Sequence, residues 1–143
     1  MEVRLIMNKE LRMKNTPYYE YINVNPKDKF VGDCVVRAIA LACGQTWEET
    51  VREMTELGIK KGMVLNDRKL YPLYLKSKGF VQMLEPRNFN GTKMTVKEWL
   101  DNNHLSGNIV INVGSHHVSC IIHNKVRDTW DCSHDTMHKW WMR

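Results

Sequence analysis

The chain has 143 residues and a mass of 16.9 kDa, which is enough for one compact domain. With 43% hydrophobic and 26% charged residues, its composition is that of a globular protein and excludes an intrinsically disordered chain. The net charge of +5 is spread along the chain, which disfavours nucleic acid as a partner. Because no run could cross a bilayer and residues 1–14 lack the pattern of a secretory signal, we expect a cytoplasmic protein without membrane contact.

The chain opens with a polar, poorly periodic stretch. We interpret residues 1–24 as an N-terminal arm, with a loop signal at Pro17-Tyr18-Tyr19, and residues 25–143 as a single domain. Residues 34–43 are then apolar on nearly every side, which predicts a buried central helix that ends at Gly44. Arg37 alone interrupts this pattern, so we expect it to be paired with an acid.

Three further helices and a short strand follow. A capping box at residues 46–49 predicts a helix that ends at Gly58, and a second capping box opens another helix at residue 95. Between them, a helix is expected from Asn66-Asp67 to Gly79, with a kink or a late start at Pro72. Residues 80–84 have the pattern of a strand.

From residue 109 the hydrophobic period changes to two, which predicts a meander of strands. His123-Asn124 fits a two-residue hairpin turn, since asparagine tolerates the left-handed conformation. The tail is expected to be a last edge strand or irregular. Helices followed by a meander predict an α+β fold, and the expected strands cover residues 109–113, 118–122, 125–130 and 137–142.

Cys34 is the most informative of the four cysteines, which we expect to be reduced. It lies at the first turn of the predicted central helix, directly after Gly32-Asp33. Unpaired amides and partial positive charge at a helix N-terminus stabilise a thiolate, and the same amides can bind an oxyanion. Cys34 is therefore a candidate nucleophile, with a buried core cysteine as the alternative.

A thiol nucleophile needs a base and an orienting acid, and the predicted hairpin supplies both. With a two-residue turn, His117 and Asp128 lie diagonally on one face of the sheet, and Trp130 on that face would shield their contact from water. A turn one residue longer would make Asp131 the partner instead. His116 is the rival base if the strand begins out of register.

These residues give the chain a resemblance to a known family. The run from Gly32 to Ala40 (GDCVVRAIA), with His117 and then residues 128–131 (DTWD) downstream, resembles the papain-like cysteine peptidases, and in particular small phage and bacterial members related to C39-like peptidases. The resemblance implies a central helix carrying the nucleophile, packed on an antiparallel sheet that supplies histidine and then the acid. It also implies a Cys34, His117 and Asp128 triad that cleaves peptide or isopeptide bonds of a protein or peptide substrate without a cofactor.

One position departs from that family. Papain-like enzymes place an oxyanion-binding glutamine about six residues before the cysteine, where this chain has Asp28. Asn25, Asn23 or backbone amides are the substitutes, and Asp33 is a further candidate near the oxyanion. The departure keeps open a second function, in which a weak or inactive papain-like fold of a phage or mobile element binds a host protein, with tryptophans as anchors.

Two other chemistries remain open at this point. Acyl transfer would use the same triad, because both reactions pass through a thioester. A structural zinc site is the other alternative, although its ligand spacing is poor, so we predict that no metal is bound. Its candidate ligands crowd the C-terminal third of the chain: Cys120, His123, Cys132, His134 and His138.

Overall fold

The computed structural model describes residues 9–143, so residues 1–8 of the predicted arm lie outside the described part of the chain. The fold is mixed α and β. Its elements, numbered in chain order, are β1 (Tyr19–Tyr21), α1 (Cys34–Cys43), α2 (Trp47–Lys61), α3 (Leu70–Ser77), β2 (Val81–Met83), α4 (Val96–Asn102), β3 (Ile109–Val113), β4 (His117–Ile122), β5 (Lys125–Asp128) and β6 (Met137–Met142).

The six strands form one sheet in the order β1-β5-β4-β3-β6-β2. β1 pairs in parallel with β5, and the other neighbours are antiparallel. Both faces of the sheet are buried. One core cluster joins it to α1, α2 and α3, and a second lies on the opposite face with α4. Within residues 9–143, no helix combines the length and apolar character needed to span a membrane.

The local signals of the sequence are confirmed at most helix ends. α1 ends at Gly44 in the left-handed conformation, and both capping boxes form, at Thr46 and at Thr95. α3 starts late, at Leu70, so that Pro72 lies in its first turn, where the missing N–H has no helical acceptor to lose. The hairpin turn is also as predicted, because His123 and Asn124 both have positive φ angles.

The predicted end of α2 at Gly58 is wrong. The helix continues to Lys61 and ends at Gly62, whose φ of 71° supplies the left-handed cap. Gly58 serves a different purpose, since the chain reverses after Gly62 and brings Met63 against Gly58, where the Met63 amide donates to the Gly58 carbonyl oxygen at 2.8 Å. A Cβ on Gly58 would lie 2.3 Å from the Met63 carbonyl oxygen, so only glycine permits this close approach.

The expected loop at Tyr19 is also wrong, because Tyr19 begins β1 and is fully buried. Its hydroxyl donates to the Arg12 carbonyl oxygen and, at 3.3 Å, to the Asp128 carbonyl oxygen. The strand escapes sequence analysis because three residues are too few to show a period, and its partner lies more than 100 residues away.

The tail was expected to be an edge strand or irregular. It forms a strand, but this strand does not lie at the edge of the sheet. β6 lies between β3 and β2, with Trp140 in one core cluster and Trp141 in the other. The two adjacent tryptophans point to opposite faces of the sheet, and both faces are covered. Both indoles are therefore buried, which suits a strand in the interior of the sheet. β5 ends at Asp128, two residues before the predicted end.

Gly58→Ala is expected to destabilise the protein although alanine is the better helix former. The gain of about 1 kcal/mol in helix propensity is smaller than the cost of moving the Met63 carbonyl, and we expect a net loss of about 1–2 kcal/mol in unfolding free energy. Urea unfolding measures this loss. The control is Gly32→Ala, because a Cβ on Gly32 meets nothing within 4 Å. A Gly58→Ala variant as stable as the wild type would contradict the assignment.

Candidate active site

Cys34 is the first residue of α1, and Asp33 is the N-cap. The first backbone bond of the helix runs from the Arg37 amide to the Asp33 carbonyl oxygen at 2.9 Å. The amides of residues 34–36 therefore have no acceptor within the helix, which is the general condition of a first helical turn. Such unpaired amides give the first turn of a helix partial positive charge, and Cys34 lies in that turn, as the sequence predicted.

The predicted contact between histidine and acid is present. His117 opens β4, Asp128 closes β5, and the two-residue turn brings His117 Nε2 within 2.7 Å of Asp128 Oδ2. Because Nε2 donates to the carboxylate, Nδ1 is the nitrogen that remains for Cys34. Cys34 and His117 each shift the pKa of the other, so the thiol lies within interaction range of the same ring that binds Asp128.

Asp128 is buried and surrounded by donors. The hydroxyl of Ser119, on the same face of β4, donates to Asp128 Oδ2 at 2.6 Å, and the Thr129 amide donates to Oδ1 at the same distance. Burial raises the pKa of Asp128, but the hydrogen bond and charge of His117, together with the Ser119 and Thr129 donors, outweigh it and lower the pKa overall. Asp128 is therefore an ionised carboxylate.

The Cys34 thiol differs from the other cysteines in its acidity. Burial raises its pKa, but the His117 hydrogen bond, a backbone hydrogen bond from Val118 and the positive charges of His117 and Arg37 outweigh burial, and the pKa falls below its ordinary value. All four cysteines are free and lie in the described residues. For Cys43, Cys120 and Cys132, burial raises the pKa of the thiol. Cys34 is thus the one cysteine whose surroundings favour the thiolate.

The imidazole of His117 shows the complementary shift. Burial lowers its pKa, but the hydrogen bonds to Asp128 and Cys34 and the charges of both groups raise it to about 9. The indole of Trp130 covers the ring, with centroids 4.5 Å apart, as the sequence predicted. The side chain of His117 is only 13% exposed, so little water competes for the contact with Asp128. Both shifts favour the charged forms, a thiolate on Cys34 and an imidazolium on His117.

The secondary candidates lie around this centre with other partners. Asp131 accepts a hydrogen bond from the Ser133 amide at 2.9 Å, while His117 contacts Asp128, so the structure brings Asp128 and not Asp131 to the imidazole. His116 is exposed and lines a cavity beside Cys34. The predicted register, in which His117 and not His116 faces the acid, is therefore confirmed.

The asparagines expected near the oxyanion are engaged elsewhere. Asn25 donates to Asp33 Oδ2 at 3.0 Å, and its own Oδ1 accepts from the Lys27 amide at 2.9 Å. The amide of Asn23 donates to Asp28 Oδ1 and to the Lys29 carbonyl oxygen, both at 3.2 Å. These bonds shape the loop that precedes α1. Among the described groups, the amides at the start of α1 are the better oxyanion donors.

Arg37 is paired with acids, as predicted, although sequence analysis named neither of its two partners. Its Nη1 binds Asp33 Oδ1, and its Nη2 donates to Asp128 Oδ1 at 3.4 Å. Asp33 also accepts from Trp47 Nε1 at 3.0 Å. Ser119 was missed as well; its position two residues after His117 on the same strand face is the signal that could have revealed it.

A cavity of about 390 Å³ opens beside Cys34. Apolar side chains form much of its wall, among them Val35, Trp47 and Tyr71. A second cavity, of about 520 Å³, lies toward the start of β6, and the two share Asn112 and Ser115 in their linings. Cys34 thus lines a cleft larger than one side chain.

The five ligands of the alternative zinc site do not gather in the described chain. His138 instead contacts Glu85, with Nδ1 2.7 Å from Oε1, and His123 lies in the hairpin turn. Over residues 9–143, the group whose ligand atoms lie within 4.8 Å of one another is His117, Asp128 and Cys132. Two of its members, His117 and Asp128, already bind each other at 2.7 Å. Of the five ligands that the sequence suggested, only Cys132 belongs to this group.

The titration of His117 is expected to have its midpoint near pH 9 in the folded protein, against an ordinary value of 6.5. NMR of the imidazole protons, assigned with His117→Gln, measures it. Because the folded state binds this proton more tightly, its stabilising contribution is complete below about pH 6.5 and disappears as the pH rises through about 9. Asp128→Asn should lower the midpoint, and a wild-type midpoint below pH 7 would contradict the ion pair.

Comparison of the chain with protein-family models, with curated proteins and with solved structures gives no match. Residue roles therefore cannot be transferred to this chain from a relative. They depend on the contacts of Cys34, His117 and Asp128 themselves, and on the chemistry that these contacts permit.

Proposed function

We propose that this protein is a cysteine-dependent hydrolase that cleaves a peptide or isopeptide bond with Cys34, His117 and Asp128 as its catalytic residues. One observation carries the proposal: Cys34, the one cysteine with a lowered thiol pKa, interacts with an imidazole that is bound to a buried carboxylate and whose own pKa is raised. A nucleophile, a base and an orienting acid in this order of contact are the minimum machinery for acyl transfer.

The proposed reaction uses each contact in turn. The Cys34 thiolate attacks the carbonyl carbon, a C–S bond forms, and the carbonyl electrons move onto the oxygen. His117 then gives its proton to the nitrogen of the leaving amine as the C–N bond breaks, which leaves a thioester on Cys34. Water, deprotonated by His117, attacks the thioester carbon; the C–S bond breaks, the acyl group leaves as a carboxylic acid, and Cys34 is restored with the proton held by His117. Asp128 holds the imidazole through Nε2 and stabilises its charged form.

The amides at the start of α1 are proposed to hold the oxyanion. They have no helical acceptor, and they lie next to the sulfur that attacks the carbonyl. Asp28, which stands where the family has glutamine, is exposed and accepts a hydrogen bond from Asn23. A backbone oxyanion site needs neither that glutamine nor its substitute.

We further propose a papain-like arrangement for the fold. The support is a helix that carries the cysteine at its N-terminus and packs on β4, while the adjoining antiparallel strands supply the histidine and then the acid. A polypeptide is the proposed substrate, because the cavity beside Cys34 and the second cavity that adjoins it exceed the size of a single side chain. A cytoplasmic location, and an origin in a phage, remain predictions from the sequence.

The alternative, an inactive fold that binds a host protein, receives less support. Its anchors were to be the tryptophans, but Trp99, Trp140 and Trp141 are each at most 8% exposed. Trp130 is committed to His117, and Trp47 to Asp33. A fold kept only for binding also has no need of a lowered thiol pKa at Cys34. The thiol reactivity described next distinguishes the two functions.

Cys34 is expected to react with iodoacetamide at pH 7 on the order of ten times faster than the other cysteines, since a lowered pKa increases the thiolate fraction. Peptide mapping by mass spectrometry after a short exposure measures each cysteine. His117→Ala should remove most of this advantage, because the imidazole supplies the hydrogen bond and charge that lower the pKa.

The pH dependence gives a further criterion. The Cys34 rate should rise through a midpoint below the ordinary thiol value, and the negatively charged reagent iodoacetate should lose rate above about pH 9, where the His117 imidazolium is lost. His116→Ala is the matched control, since His116 is adjacent in sequence but exposed. Equal reactivity of all four thiols at pH 7 would refute the proposed nucleophile.

Asp128→Asn is expected to slow the alkylation of Cys34 at pH 7 by about tenfold, whereas Asp131→Asn should change it less than twofold. The asparagine at 128 cannot stabilise the imidazolium by charge, and the imidazolium stabilises the thiolate. Asp131 is the matched control because it is an acid three residues away that contacts the Ser133 amide. A larger effect of Asp131→Asn would transfer the role of the acid to that residue.

A further inference from the structure

Arg37 lies one turn after Cys34 on α1 and is only 6% exposed. Its guanidinium group joins two carboxylates from different parts of the chain, that of Asp33 just before the helix and that of Asp128 at the end of β5. Its Nε has no hydrogen-bond partner among residues 9–143, so the two acids are its principal anchors. The helix that carries the nucleophile is thereby joined to the acid of the triad.

We propose that Arg37 is a positioning residue that fixes the carboxylate of Asp128 so that Oδ2 faces His117. This inference rests on the proposed function, because it assigns Arg37 a role through the triad. The guanidinium holds Oδ1 of Asp128 at 3.4 Å, while Oδ2 receives His117 at 2.7 Å. A carboxylate with one oxygen fixed by a cation and an amide has a single orientation left for the other oxygen.

The position of Arg37 is itself fixed from outside the triad. Asp33 binds its Nη1, and Asp33 Oδ2 accepts both Trp47 Nε1 and Asn25 Nδ2 at 3.0 Å. The loop before α1 and the start of α2 therefore hold Asp33 in place. Asp33 in turn holds Arg37, and Arg37 holds Asp128. A planar guanidinium can serve both carboxylates at once, whereas the single ammonium of a lysine cannot.

Arg37 also affects the charges at the site. Its positive charge contributes to the lowered thiol pKa of Cys34. The groups that face His117 are Cys34 from α1, Asp128 from β5 and Trp130 beyond it, with Cys132 also nearby. Of these, Asp128 is the counter-ion of the imidazolium, so its orientation determines how strongly the proton on His117 is held.

The test uses the full chain with the double change Arg37→Met and Asp33→Asn. Arg37→Met alone would leave Asp33 as a buried unpaired charge, which would unfold many proteins. In the double variant the amide oxygen at position 33 can still accept from Trp47 and Asn25. One positive and one negative charge are lost together, so long-range electrostatics change little, and any effect on His117 reports the orientation of Asp128.

We expect the His117 pKa, measured by NMR, to fall by about one unit or more in the folded double variant, because its hydrogen bond to Asp128 is weakened. Loss of a merely structural arginine would leave this pKa unchanged, and loss of a nearby positive charge would raise it; either result in a folded variant overturns the proposal. Lys78→Met, which breaks the distant ion pair with Glu53, is the matched control and should leave the pKa as it is.

If thermal unfolding shows that the double variant does not fold, Arg37→Lys is measured instead, with the same criterion for the His117 pKa and an expected fall of about half a unit. The alkylation rate of Cys34 is recorded in parallel and should fall severalfold. The two measurements separate the hypotheses: slow, unselective alkylation of wild-type Cys34 refutes the proposed function, whereas an unchanged His117 pKa in the variant refutes the role of Arg37.

Discussion

The structure depends on keeping one ionised carboxylate, Asp128, inside the protein. Removing a carboxylate from water is costly unless donors replace the water, and here His117, Ser119, the Thr129 amide and Arg37 do so. These donors come from β4, from the residue after β5 and from α1. The charge can be tolerated only when all three parts of the chain are in place, so the folding of the domain and the assembly of the site are one event.

The N-terminal segment belongs to the same assembly. The Ile22 amide donates to the Asp128 carbonyl oxygen at 2.9 Å, and the buried hydroxyl of Tyr19 donates to the same oxygen. β1 thus fixes the backbone of Asp128 while the four donors fix its side chain. The segment that the sequence predicts as an arm is therefore part of the scaffold of the site. It contributes a strand of only three residues at the edge of the sheet, so most of the segment can be polar.

The features that could be predicted from the sequence are those encoded locally. Caps at Thr46 and Thr95, the turn at His123-Asn124 and the alternation that places His117 beside Asp128 each depend on residues a few positions apart. The features that could not be predicted depend on distant pairing. The parallel pairing of β1 with β5 and the contact of Arg37 with Asp128 join residues more than 90 positions apart, and the role of Gly58 depends on a chain reversal after Gly62.

The acids around Cys34 raise a physical objection to oxyanion chemistry, and the structure answers it. Asp33 directly precedes the nucleophile, and a bare carboxylate there would repel both a thiolate and a developing oxyanion. Its two oxygens are instead occupied by Arg37, Trp47 and Asn25, so its charge is balanced by the guanidinium. The same arginine carries positive charge toward Cys34 and Asp128. A single buried cation therefore balances two acids near Cys34, as the proposed reaction would require.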